Sequence, residues 1–517
     1  MCGFDVIING ESMEKCIKNA SLIKHRGPDF TGVWKNERVM MIHHRLAIVA
    51  PKTGQQPIWE NQRIIAVNGE IYNHHSLEQI YIGRVLDNAS DCLVLAYMFT
   101  SPTSIKDDLN SIRGMFAFVM ITKDGFIVAR DPIGIIPLYY GIKGKEIHFA
   151  SEVKCLHECD EVYEFPPGSY MMNNTHPEVY YQPQLVGWPL QGGYTDILSL
   201  RSMFIDAVKC HLMADVPYAV LLSGGLDSSI VASIVKSLVK PTRIHTFSIG
   251  VQGADSPDLK MARIMADYLD SIHHEIRFSV DDALHMIPDV IWHIETYDRT
   301  TIRASTPMLI LGKAVKEAGF KMVLSGEGSD EIFGGYLHFN KAPNPSELHS
   351  ESSRLVLGLN KKDCLRANKS MMASGVEVRV PFLDTEFLDY AMNLDPKHKM
   401  SSDRIEKKVL REAFRNMLPP EIYKRQKEQF SDGVGYSWIE GIQNYALSKY
   451  QNFDPSKYPV NTPRTPEEML YRDIFSKMFE GDKYDHLIPW GFSTSCSTPH
   501  IQHWDNNFIN DPTGRRK

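Results

Sequence analysis

Seven consecutive residues, Ser223-Gly224-Gly225-Leu226-Asp227-Ser228-Ser229, carry the densest chemistry in the 517-residue chain. An apolar run (residues 216–222) leads into them, and an apolar-periodic stretch (residues 230–239) leads out. That order reads as strand, glycine-rich turn and helix, in which backbone N–H groups and a helix N-terminus converge on a phosphate. Gly224 and Gly225 let the backbone approach an anion. Ser228 and Ser229 add hydroxyls or cap the helix, and Asp227 stands where a divalent cation would bridge to the phosphates. Without a lysine, the loop is neither GxxxxGK[ST] nor GxGxxG. The glycine pair, taken alone, also describes a tight turn with a serine cap. A second loop, Ser325-Gly326-Glu327-Gly328-Ser329-Asp330-Glu331, concentrates carboxylates, which is costly unless a metal or another cation neutralises them. Magnesium shared by Asp227, Asp330 and a bound phosphate is one reading. An exposed acidic turn is the other.

A third candidate is Cys2. Removal of Met1 would leave a thiol and an α-amine on one residue, and an amine of ordinary pKa about 7.7–8.0 can serve as a built-in base. A thiol that only packs is the alternative. Asn68 and Gly69 end a strand, where a side-chain amide and a backbone N–H suit an oxyanion hole. Arg45 could hold an amino acid α-carboxylate bidentately, with Glu70 and Asp91 receiving its α-ammonium group. Each of these three could instead be a solvated surface charge.

The elements that must position these groups divide into two sets. Residues 3–8, 39–48, 64–68, 115–121, 126–129, 136–140 and 147–150 read as short strands, with helical windows at 11–23 and 91–99. They predict an α+β domain over residues 1–183, two packed antiparallel sheets with helical cover. Proline and glycine mark residues 184–194 as a linker. Over residues 195–480 strands and helices alternate, predicting a mainly parallel α/β domain: helix 195–212, strand 244–249, helix 257–269, strand 272–276, helices 283–295 and 305–318, and strand 320–324. Ligands in such sheets gather at strand C-termini, so both acidic loops can face one crevice. Thr300, Thr301 and Arg303 form a polar run before an apolar helix, in keeping with a cap or a ligand contact. Residues 424–435 mix cations with glycine. Residues 481–517 read as an irregular tail.

Hydrophobic content of 43% and charged content of 23% are those of a globular protein, and a net charge of −7 gives no reason to expect nucleic acid or an anionic membrane as partner. No apolar run has the length of a membrane span and no secretory leader is seen, which favours the cytoplasm. Eight cysteines are too sparse for a disulfide scaffold, and Cys155 and Cys159 around His157 have no second pair at metal spacing.

Residues 223–229 resemble the pyrophosphate loop of the ATP-pyrophosphatase enzymes. Cys2-Gly3, His25-Arg26-Gly27-Pro28-Asp29, Asn68-Gly69-Glu70-Ile71-Tyr72-Asn73 and Ser90-Asp91 resemble the class II glutaminase domain with its N-terminal nucleophile. Together, from Cys2 to about Gly433, the chain is similar to the glutamine-hydrolysing asparagine synthetases. Leu93 departs from the glutamate common there, although Asp91 is intact. The resemblance implies that Cys2 attacks the amide of glutamine, that Asn68 and Gly69 stabilise the intermediate, and that Arg45, Asn68, Glu70 and Asp91 fix the amino acid part. It implies ATP and Mg2+ in the second domain: Leu222 and Ile249 at adenine, Ser223, Gly224, Gly225, Ser228, Ser229, Ser325, Gly326 and Lys427 at the phosphates, and Asp227 and Asp330 at the metal. Glu327 would handle the protons of ammonia beside an acyl-adenylate. Thr300, Thr301 and Arg303 fall on the aspartate or phosphate side. Asparagine, glutamate, AMP and pyrophosphate are the implied products, free ammonia can replace glutamine, and a homodimer is expected. Shielding the adenylate from water calls for an internal apolar route between the sites. Two other readings stay open: the same domains acting on a different carboxylate acceptor, and a glutamine- or nucleotide-sensing scaffold. Cys2 speaks against the related enzymes that close a β-lactam ring.

Overall fold

The computed structural model describes residues 1–10, 12–173, 176–183, 196–400, 405–427, 433–489 and 499–505. The expected linker at 184–194 lies outside these, as do residues 428–432 of the cationic segment and residues 490–498 and 506–517 of the expected tail.

Two six-stranded sheets build the N-terminal part. One runs Glu161–Glu164, Tyr139–Lys143, Glu146–Ala150, Gly3–Ile8, Val39–Arg45, Phe30–Lys35, and the other Glu178–Val179, Ser169–Met172, Gly125–Arg130, Gly114–Thr122, Arg63–Ile71, Ile58–Glu60. All their pairings are antiparallel. Their facing side chains, among them Phe4, Val6, Ala66, Ala117, Val119 and Phe149, are buried in one core, the expected pair of packed layers. Gly3 begins its strand opposite His44, whereas the strand expected to end at residue 68 runs on to Ile71, so Asn68, Gly69 and Glu70 pair within it opposite Ala117, Phe116 and Met115.

Several expected strands move. Residues 136–138 are not in a strand, which starts at Tyr139. The buried Asp131 carboxylate instead accepts the backbone N–H groups of Ile133, Ile135 and Ile136 at 3.2, 2.9 and 2.9 Å and folds them into a turn. Phe30–Lys35 forms an edge strand that apolar patterning does not reveal, because most of its residues are exposed.

Residues Tyr218–Leu221, His245–Val251, Ile272–Phe278, Met322–Leu324 and Glu377–Arg379 form a five-stranded parallel sheet in the C-terminal part. Tyr218–Leu221 is its centre, flanked by His245–Val251 and Met322–Leu324. The helices Leu226–Val239, Pro257–Leu269 and Arg299–Glu317 cover it with apolar faces. No helix among the described residues is long and apolar enough to cross a membrane.

One buried acid gives a test of this fold away from any site. Asp5, on the central strand of the first sheet, is fully buried with Cys16 Sγ 3.5 Å from its carboxylate. Burial pushes its pKa up to about 8, against the Cys16 hydrogen bond. A raised folded-state pKa contributes stability that is complete below the ordinary carboxylate range and is lost as pH rises through about 8. Wild-type stability relative to Asp5→Asn is therefore expected to fall by up to about 1.4 kcal/mol per pH unit between pH 5 and 8. Denaturant midpoints across that range, run on both proteins, check the slope.

Candidate active sites

The strand Tyr218–Leu221 ends at the first loop because Leu222 N–H still pairs with Phe247 O at 2.8 Å while Gly224 turns with φ +68°. A Cβ at Gly224 would fall 2.3 Å from the backbone of Ala262 and of Met261, so glycine alone lets helix Pro257–Leu269 approach. Gly225 is the N-cap of helix Leu226–Val239. Ser223 and Ser228 hydroxyls meet at 3.1 Å, and Ser229 is buried with its hydroxyl unpaired among the described residues. Ser223, Gly225, Leu226, Asp227 and Ser228 face a cleft at the positive end of this helix, which suits an anion, whereas Gly224 and Ser229 are not on its wall.

The second loop follows Met322–Leu324 and packs on the first. A Cβ at Gly326 would lie 2.9 Å from Asp227 Cβ and from Ser228 N. Ser329 Oγ donates to Asp227 Oδ1 at 2.8 Å. Both loops line one cleft, with Leu222, Ile249, Thr300, Glu327, Asp330 and Lys427 also on its wall. The crevice expected at the strand ends is present.

Charge in the cleft is balanced by residues the motif does not contain. Lys407 Nζ stands 2.7 Å from Asp227 Oδ2 and 2.6 Å from Asp330 Oδ1. Lys427 Nζ reaches Asp330 Oδ2 at 2.7 Å. Burial would raise the Asp330 pKa, but the two ammonium groups outweigh it and hold the carboxyl below its usual range. Glu327 pairs with Arg366 at 2.6 Å, yet burial, with the Asp363 carboxylate behind it, leaves its pKa above the ordinary value. Arg425 ties the first loop to the helix Pro257–Leu269, bonding Ser223 O at 3.1 Å and Asp258 at 2.5 Å. Asp227 and Asp330 converge on one cation position and offer only hard oxygen donors, so the pair fits magnesium once the lysine between them gives way.

Thr300 lines the cleft. Thr301 does not: its hydroxyl and N–H bond the N-cap residue Asp298 at 2.6 and 2.8 Å. Arg303 forms a two-point pair with Glu467, its Nε at 2.7 Å. A ligand contact by either would require it to leave these partners.

The second candidate site lies between the antiparallel sheets. Cys2 is buried, with Sγ 4.0 Å from Leu46 O and its nitrogen 2.8 Å from Asn68 Oδ1. That hydrogen bond leaves Asn68 Nδ2 a buried donor, unpaired among the described residues. Gly69 follows at φ +141°, and a Cβ there would fall 2.0 Å from Met115 O. Three carbonyls, Pro51, Val49 and Ala50, hold the Arg45 guanidinium at 3.0, 3.0 and 2.8 Å, fixing its direction while leaving further donors. Asp91 Oδ2 accepts Ile71 N–H at 2.7 Å. Glu70 is buried 3.2 Å from Arg379 Nη2; burial and then the neighbouring Glu377 and Asp91 carboxylates push its pKa well up. Arg45 thus ends its strand, Asn68, Gly69 and Glu70 lie within theirs, Cys2 directly precedes the strand Gly3–Ile8, and Asp91 opens the short helix Asp91–Ala96. Burial also raises the Cys2 thiol pKa, so the group depends on a nearby base to become a nucleophile. With Met1 in place the nitrogen of Cys2 is an amide, and it is the Met1 ammonium that pairs with Glu377.

The two sites share a wall. Arg379 bonds Glu377 at 2.6 Å, faces Glu70, and through its carbonyl accepts Ser325 N–H at 2.9 Å. Arg26 of the first part bonds Glu152 at 2.7 Å and Asn368 of the second at 3.0 Å. Lys407 escapes sequence reasoning because it lies in a short charged run, Glu406-Lys407-Lys408, without periodicity; Arg366 alone reads as one charge on a helix face and Arg379 as part of a turn, which reveals neither partner.

Comparison with known proteins places both sites in one context. Residues 1–183 match the family model of a glutamine amidotransferase domain, and residues 199–352 and 340–504 match that of asparagine synthase. Asparagine synthetase B (glutamine-hydrolysing) of Escherichia coli (strain K12) is 44% identical, over 98% of this chain and 96% of that protein. The glutamine-hydrolysing asparagine synthetase of Brassica oleracea is 43% identical over 100% of this chain and 93% of its own. Synthetase 2 of Arabidopsis thaliana is 45% identical, with 100% and 94% covered.

Proposed function

The chain belongs to the glutamine-hydrolysing asparagine synthetases, and on that premise we propose how its own residues carry out the reaction. The enzyme makes asparagine from aspartate, ATP and glutamine. In the N-terminal site, Cys2 attacks the side-chain amide of glutamine once Met1 has been removed, and the freed α-amine takes the thiol proton. Asn68 Nδ2 and Gly69 N–H hold the oxyanion. Arg45 fixes the α-carboxylate, and Glu70 with Asp91 the α-ammonium group. Collapse of the intermediate breaks the C–N bond as the amine returns its proton to the departing ammonia, which passes to the second site; water then hydrolyses the remaining Cys2 thioester and releases glutamate.

There the phosphates of ATP sit on residues 223–229, with Ser325, Gly326 and Lys427 around them and the adenine beside Leu222 and Ile249. Asp227 and Asp330 would hold Mg2+, which neutralises charge on the pyrophosphate leaving group. The β-carboxylate of aspartate displaces pyrophosphate to give an acyl-adenylate; ammonia attacks it, and AMP leaves. Glu327, poised above its ordinary pKa beside Arg366, takes a proton from the incoming nitrogen. Residues 1–183 would form the glutaminase unit and 195–480 the synthetase unit, working in the cytoplasm.

The observation that carries this reading is the meeting of two post-strand loops in one cleft whose aspartates converge on a single cation position. Aspartate labelled with 18O in its β-carboxylate tests it, because the adenylate route moves one labelled oxygen onto AMP. Label in AMP is expected; label absent from AMP while asparagine forms would refute the route.

Glu327→Gln is expected to lower asparagine formation about a hundredfold or more with either nitrogen source. Exchange of labelled pyrophosphate into ATP should survive, since adenylation precedes the proton transfer. Unchanged synthesis from ammonium salts in this variant would remove the role.

A further inference from the structure

The cation position between Asp227 and Asp330 belongs to Lys407 in this structure. Its ammonium group lies 2.7 Å from Asp227 Oδ2, 2.6 Å from Asp330 Oδ1 and 3.3 Å from Ser329 Oγ, and the residue is 2% exposed. The remaining carboxylate oxygens are taken as well: Asp227 Oδ1 by Ser329 Oγ at 2.8 Å, and Asp330 Oδ2 by Lys427 Nζ at 2.7 Å. Two carboxylates thus face two ammonium groups, and the local charge is already balanced.

The backbone is shaped for this contact. Lys407 sits in the left-handed region, φ +58°, which a side-chain-bearing residue adopts at a cost. Gly335 clears the way: a Cβ there would fall 2.0 Å from Asp330 Oδ1 and 2.1 Å from Lys407 Cε. The neighbouring Glu406 accepts Lys427 N–H at 2.5 Å and Arg411 at 3.0 Å, so both lysine-bearing segments are tied together.

We propose that Lys407 is a resident counter-cation that keeps the Asp227–Asp330 pair closed to divalent metal until nucleotide arrives. A divalent ion entering alone must evict a buried ammonium group and leave it without a partner, which is strongly unfavourable. A triphosphate entering with its metal changes that balance. The displaced ammonium of Lys407, and that of Lys427, can turn onto phosphate oxygens while the aspartates turn to the metal. Lys407 is therefore a positioning residue that orders the binding of ATP and metal. The proposal rests on the reading that Asp227 and Asp330 are the metal-side residues.

Manganese, followed by electron paramagnetic resonance on the full chain, tests it without turnover. Nucleotide-free wild type is expected to bind no Mn2+ at this site at micromolar concentrations, and Lys407→Gln to gain one site at least about tenfold tighter, a factor below the coupling of one close buried charge pair. Lys407→Arg, which keeps the charge, should gain none, and adding Asp330→Asn to Lys407→Gln should remove the new site. If nucleotide-free wild type already binds one Mn2+ that Asp330→Asn abolishes, Lys407 is no barrier and the proposal is wrong; the wild-type arm stands even if Lys407→Gln fails to fold. A Lys407→Gln protein that folds and gains no site overturns it too. The underlying metal reading fails by a separate outcome: Mn2+ bound together with ATP would then be unaffected by Asp330→Asn.

Discussion

Cys2→Ala is expected to abolish glutamine hydrolysis and glutamine-dependent synthesis, by about a thousandfold or more, while synthesis from ammonium salts persists. The division follows from where the groups lie. Cys2, the unpaired Asn68 Nδ2 and the backbone at Gly69 sit between the antiparallel sheets, whereas the nucleotide cleft is built from the parallel sheet. Removing the thiol deletes a bond-forming atom in one site and touches nothing in the other. A non-cleavable tag ahead of Cys2 is expected to reproduce the loss with every side chain intact, because the α-amine that takes the thiol proton is gone. A cysteine that only packs predicts the opposite pattern: modest destabilisation, with both nitrogen sources affected in parallel. Glutamate release and asparagine formation, each assayed with glutamine and with ammonium, separate the two. Wild-type glutamine hydrolysis by either altered protein would end the assignment.

Asp330→Asn and Asp227→Asn are each expected to reduce ATP cleavage to AMP by about a hundredfold or more and to leave glutamine hydrolysis measurable. The pairing of Asp330 predicts the larger effect there. It meets Lys407 and Lys427 at once, so an amide in its place leaves the half-buried Lys427 short of a counter-charge and the buried Lys407 with Asp227 alone. Pyrophosphate release at limiting magnesium measures the loss. A wild-type rate in either variant would remove that aspartate from the metal site.

Much of this arrangement is legible in the sequence, for identifiable reasons. A glycine-rich turn between an apolar strand and an apolar-periodic helix is local information, and residues 218–239 fold as that pattern reads. The buried parallel strands are equally plain, since runs such as Met322–Leu324 are apolar on both faces. Edge strands are not: Phe30–Lys35 is half polar because one side meets solvent, and it pairs only through its neighbour Val39–Arg45. The short strand Glu377–Arg379 is hidden for another reason, as two buried charges occupy it and are neutralised from distant parts of the chain. Lys407 is the clearest case. The sequence shows that the two acidic loops need a cation; only the fold shows that a lysine from a left-handed turn supplies one. Arg303 illustrates the converse, a cation beside the cleft whose partner, Glu467, comes from a helix far along the chain.

In this account one chain couples glutamine hydrolysis to aspartate activation, with ATP split between its α- and β-phosphates. Quantifying all products of one reaction, started with labelled aspartate, glutamine and ATP at saturating magnesium, tests it most directly. Asparagine, AMP and pyrophosphate are expected in equal amounts, with glutamate at least matching them. ADP and phosphate in place of AMP and pyrophosphate, or glutamate accumulating without asparagine, would contradict it.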